Sequence, residues 1–136
     1  MKDSNSMPPP NLSIVLHTGE YERAHYALAM ASAAAAIARK TIILFAGEGV
    51  ASVVTAAGWL QLDEAPERDA LFRQRGIAGF EELLGACRDL SVRLIVCETA
   101  LRAAGLDQAA LRTDLALEVG GIVTLLNAAD GQLVFV

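Results

Sequence analysis

The sequence predicts a three-layer α/β/α domain built on a mostly parallel five-stranded sheet. Two observations carry this. Short runs that are apolar at nearly every position recur along the chain: LSIVLH at 12–17, TIILFA at 41–46, VRLIVC at 92–97 and LVFV at 133–136. Strands buried on both faces read this way. Helical stretches separate the runs, and strand–helix alternation implies parallel strands joined by crossovers. A length of 136 residues suits one domain.

Residues 1–11 read as a disordered leader, because prolines 8, 9 and 10 disfavour helix. One Lys followed by acid and proline is not a signal peptide. The domain is expected over 12–136. Its first strand is Leu12–His17. Tyr21–Arg39 follows as an Ala-rich helix without Gly or Pro, thin enough for close packing. After the strand Thr41–Ala46, Gly47-Glu48-Gly49 breaks the chain and Val50–Ala57 reads as a helix ending at Gly58.

Leu60–Gly76 is the most charged segment and Pro66 interrupts it. Carboxylates over 63–69 alternate with Arg68 and Arg73, the pattern of a solvated face. The segment reads as an exposed excursion with a helical turn, which Leu71 and Phe72 are placed to pin back. Phe80–Leu90 has apolar residues at 80, 83, 84, 87 and 90, which is helical spacing. Val92–Cys97 is the third long strand. Thr99–Ala104 is a short helix with Thr99 as its N-cap and Gly105 past its end. Asp107 caps a turn through Arg112, Leu115–Val119 is a short strand, Gly121–Ala129 a last helix, and Leu133–Val136 the last strand.

Apolar residues make up 54% of the chain and charged residues 20%, more apolar surface than a small domain hides, so a homo-oligomer is expected. A net charge of −5 with no basic run argues against nucleic acid. The most apolar stretch, 27–38, is too short to span a bilayer. Two cysteines make no disulfide framework, and free thiols point to a reducing compartment, the cytoplasm.

In parallel sheets the functional edge lies outside the carboxyl ends of the strands. His17–Arg23, Ala46–Val50 and Cys97–Arg102 meet there. Cys97 ends a strand directly before a helix, where first-turn N–H groups favour a thiolate. Glu98 opposes that effect if its carboxylate points at the sulfur, and Arg102 is placed to reach back and pair with a thiolate or persulfide. The other reading of Cys97 is a small hydrophobe packed at a strand end. Cys87 lies on an apolar helical stripe and reads as core. His17 is placed either to shuttle protons or to bond backbone at the strand end. Thr18-Gly19 and Gly47 mark strand-to-helix turns of the kind that bind anions. They lack GxGxxG and a P-loop lysine, and Glu20 and Glu22 oppose a phosphate, so no nucleotide cofactor is expected. Two histidines form no zinc motif, and Ser52, Thr55 and Thr99 have no base at motif spacing.

VRLIVCETALRAAGLDQAALRTDLALEVGGIVTLLNAADGQLVFV resembles the C-terminal half of DsrE/DsrF/DsrH-like proteins, especially the branch labelled peroxiredoxin-like DsrE. The shared pattern is a strand ending in Cys97, a short helix ending in Gly105-Leu106, and Val119-Gly120-Gly121 before the last helix. The apolar first strand, the Thr18-Gly19 turn, the Ala-rich helix and TIILFA fit as well. The resemblance implies the three-layer fold, a trimer or hexamer, and a cysteine that carries sulfane sulfur as a persulfide between donor and acceptor proteins. Cys97 matches that cysteine. Glu98 and residues 60–76 depart from the pattern, and VRLIVCETA lacks a peroxidatic setting. The expectation is a sulfur carrier or sulfurtransferase-like protein. Its rivals are a non-catalytic binding or scaffold module and a thiol redox sensor.

Overall fold

A computed structural model describes residues 10–55 and 57–136. Five strands, β1 (Asn11–Leu16), β2 (Thr41–Phe45), β3 (Arg93–Cys97), β4 (Glu118–Gly120) and β5 (Gly131–Phe135), form one sheet in the order β4-β3-β2-β1-β5. Every pairing is parallel. The helices are α1 (Tyr21–Ala36), α2 (Ala65–Gln74), α3 (Phe80–Asp89), α4 (Glu98–Ala103) and α5 (Ile122–Ala128). The leader read over 1–11 lies outside the described residues up to residue 9. Pro10 accepts a hydrogen bond from Arg39 Nε at 2.6 Å, and Asn11 already opens β1.

β1 is buried on both faces, which is why its sequence shows no polar alternation. Leu12, Ile14 and Leu16 join Ile43, Phe45, Leu94 and Val96 in the larger core, against α1 and α3. In α1, Ala24, Ala27, Ala31 and Ala34 recur at helical spacing and are buried, so the helix axis sits close to the sheet. The opposite face is covered thinly. There Val15, Leu44, Ala46 and Ile95 pack on Leu125 of the seven-residue α5.

The charged segment differs from its sequence reading. The helix read over Val50–Ala57 is a 3₁₀ helix over Gly47–Val53, and Gly58–Gln61 is another. Ala65–Gln74 is a full α-helix with Pro66 in its first turn, where a missing N–H costs nothing. Asp69, taken as solvated, is buried. Its Oδ1 accepts hydrogen bonds from the Tyr21 hydroxyl at 2.6 Å and the Phe80 N–H at 2.8 Å, and its Oδ2 lies 3.1 Å from Arg73 Nε. Tyr21 is held protonated, chiefly by burial and then by Asp69. Phe72 does pin the segment back, 4.8 Å from the His25 ring and 5.8 Å from Tyr21. Trp59 stacks on Phe80.

Trp59 Nε1 also donates to Glu81 Oε2 at 2.7 Å, and Arg112 binds both Glu81 oxygens and Asp114. Arg112 holds the Glu81 carboxyl below its ordinary range, with Trp59 assisting against a smaller opposing effect of burial. A carboxyl depressed in the fold stabilises it above its unfolded value, about 4.3 for Glu, and that contribution disappears as pH falls through the folded value. Thermal melts should therefore show a stability loss below about pH 4.3 that is smaller in Glu81→Gln. An unchanged acid limb in the variant would contradict the assignment.

Candidate functional site

The strand registers place the site. Leu16 pairs Phe45, Phe45 pairs Val96, and Cys97 pairs Gly120. One residue further along, His17, Ala46, Cys97 and Gly120 stand in one row across the carboxyl edge, on the face that α5 covers. Cys97 is half-buried and touches both core clusters. It is also the N-cap of α4. The cap expected at Thr99 is thus two residues late, because the chain turns from strand to helix with no intervening residue. Thr99 is exposed.

Glu98 and Arg102 pair with each other one helical turn apart, at 3.5 Å and both well exposed. Arg102 is thus engaged by Glu98, where the sequence placed it to reach the sulfur. The same pair draws the Glu98 carboxylate along the outside of α4. Gly120 matters for a steric reason. A Cβ there would sit 2.7 Å from Thr124 Oγ1 and 3.2 Å from Ile95 Cγ2, so only glycine lets α5 close over the sheet beside Cys97. Thr124 accepts the Gly121 N–H at 3.1 Å and starts that helix.

His17 lies two strand spacings from Cys97, about 10 Å between backbones, so the two share no direct hydrogen bond. Its ring is exposed, packs 5.4 Å from Phe135, and covers Gly47. Gly47 has φ +49, and a Cβ there would meet the imidazole at 2.5 Å, so this glycine serves both the turn and the ring. The main-chain N–H of His17 donates to the Val136 carbonyl at 2.7 Å. The Thr18 hydroxyl accepts the Glu20 N–H at 3.1 Å and shapes the turn into α1.

Cys87 is sealed in the core. Burial pushes its thiol up to about 12, and its Sγ lies 3.6 Å from the Leu28 carbonyl. His25 is buried, with Nε2 donating to the Ala78 carbonyl at 2.8 Å. Among the described residues no helix is long and apolar enough to cross a membrane.

The sequence reading missed a cavity of about 540 Å³ at the same edge, between the Gly47–Val53 and Gly58–Gln61 segments and α4. Its walls are largely aliphatic and Glu48 and Asp63 stand among them. The only signal for it in the sequence was Gly19, whose missing side chain makes room for Glu48.

The family model of the DsrE/DsrF-like family matches residues 11–135. No curated protein matches the sequence significantly. Among solved structures, the ychN protein from E. coli is similar with a TM-score of 0.60 at 12% identity, over 93% of this chain and 99% of that one. A protein of unknown function from Methanobacterium thermoautotrophicum, MTH1491, is similar with a TM-score of 0.49 at 16% identity, over 91% of this chain and 99% of that one. The ychN likeness bears on the fold: it is the three-layer arrangement described above.

Proposed function

Because this chain belongs to the DsrE/DsrF-like family, we propose that it serves in sulfur relay and carries sulfane sulfur as a persulfide on Cys97. The observation that carries this reading is the contrast between the two thiols. Cys97 is half-buried at the carboxyl edge of the sheet, whereas Cys87 is sealed in the core and its thiol is pushed up to about 12. The thiolate is the nucleophile, so only Cys97 is placed to react.

The chemistry is a transfer without net oxidation. The Cys97 thiolate attacks the outer sulfur of a donor protein's persulfide. A new S–S bond forms on Cys97, the donor's S–S bond breaks, and its electron pair leaves with the donor thiolate. An acceptor thiolate then attacks the outer sulfur on Cys97 in the same way and regenerates the thiol. His17, with its ring on the same edge, is the group suited to relay the proton through water. The Glu98–Arg102 pair keeps the neighbouring carboxylate from opposing the anion in full. In a persulfide-loading assay the wild-type protein should gain one sulfur by intact mass on incubation with a sulfane-sulfur donor. No gain would overturn the proposal.

Homo-oligomeric assembly belongs to the same reading. Ile122, Val123 and Leu126 of α5 and Leu133 and Phe135 of β5 are all exposed on the thinly covered face. Apolar side chains grouped on one face favour burial between copies. Light scattering at micromolar concentration should show an oligomer, and Leu126→Glu with Phe135→Glu should shift it to monomer. A monomeric wild-type protein would contradict this.

A further inference from the structure

We propose that the edge cavity, beside the sulfur site, is a second binding site, and that it takes a small amphipathic amine: an apolar body with a cationic head. The cavity is about 540 Å³, within the range of small-ligand sites, roughly 300–1,000 Å³. Val50, Val54, Leu62, Ala100 and Leu106 contribute aliphatic wall, which favours an apolar body. Cys97 does not line it, although His17 and Gly47 of the same edge do.

The charge argument comes from bookkeeping of the neighbouring acids. Glu20 and Arg23 form an ion pair, Arg68 lies against Glu22 and Glu64, and Arg73 pairs with Asp69. Glu48 and Asp63, the two carboxylates on the cavity, have no basic partner among the described residues. Two exposed carboxylates without an ion-pair partner beside an aliphatic wall attract a cation and disfavour an anion. Glu48 is also positioned. A Cβ on Gly19 would lie 3.0 Å from its carboxyl carbon, so the β1 turn is shaped to receive that side chain. Gln61 adds an amide that can accept from an ammonium group. Glu48, Asp63 and Gln61 are exposed, so an ammonium head can reach their oxygens from solvent.

The test uses 4-phenylbutylamine, the uncharged 4-phenylbutanol and the anionic 4-phenylbutyrate in amide-detected NMR titrations of the full chain. The expected order is amine over alcohol by roughly tenfold, with butyrate weakest, since an ion pair beside apolar walls is charge-assisted. The peaks that move should include Ala103, Ala104 and Leu106. Glu48→Gln with Asp63→Asn should bring the amine down to the level of the alcohol. Ala104→Leu, at an exposed helix end where the larger side chain is tolerated, should weaken both. Cys97→Ser should bind the amine as wild type does, which separates this site from the sulfur proposal. Equal binding of amine and alcohol, no binding of either, or binding indifferent to Ala104→Leu would overturn it.

Discussion

Replacing Asp69 with alanine costs the protein about 2–6 kcal/mol of stability. The substitution leaves the Tyr21 hydroxyl and the Phe80 N–H as buried donors without an acceptor and strips Arg73 of its partner. Each orphaned buried donor costs about 1–3 kcal/mol, while the lost contact to the exposed Arg73 side chain adds little, so the sum is about 2–6 kcal/mol. Domains hold only about 5–15 kcal/mol in total. The single tryptophan, Trp59, stacks on Phe80 and reports the loss directly. Its fluorescence in urea should give a midpoint well below wild type, with Asp69→Asn intermediate because an amide oxygen still accepts. A change under about 1 kcal/mol would show that Asp69 is not the anchor of α2.

The second large effect is on thiol chemistry. In the folded protein a thiol reagent should modify one cysteine, and in denaturant two. Cys97→Ser should leave no reactive thiol in the folded state, and Cys87→Ser should leave the native reaction intact. The basis is the depth of Cys87, whose burial holds its thiol protonated. Cys87→Ser also places a hydroxyl in the apolar core beside Leu28, so its stability should be checked alongside. Reaction at Cys87 in the folded protein, or an unreactive Cys97, would remove the basis for assigning the carrier.

Much of the fold was legible. The strands announced themselves because a parallel strand buried on both sides has no polar positions, and β1 and β2 sit where LSIVLH and TIILFA place them within a residue. The 60–76 segment was not legible, for a physical reason. Asp63 and Asp69 look alike in a charged run, yet one is exposed and the other is buried. What separates them is Tyr21, 48 positions away, whose hydroxyl Asp69 accepts. No local pattern encodes such a partner. At the sheet edge, strand-to-helix spacing was enough to put Cys97 at the end of β3 and the start of α4. Arg102 lies 3.5 Å from Glu98, because i,i+4 pairing competes with reaching back to the sulfur. The cavity was invisible because its walls come from four separate stretches of chain.

The most direct measurement maps the sulfur. After incubation with a sulfane-sulfur donor and alkylation of the products, the protein is digested and its two cysteine peptides are weighed. The proposal predicts the added sulfur on the peptide containing Cys97, removable by an acceptor thiol, and none on the peptide containing Cys87. Sulfur on Cys87, or on neither peptide, would contradict it.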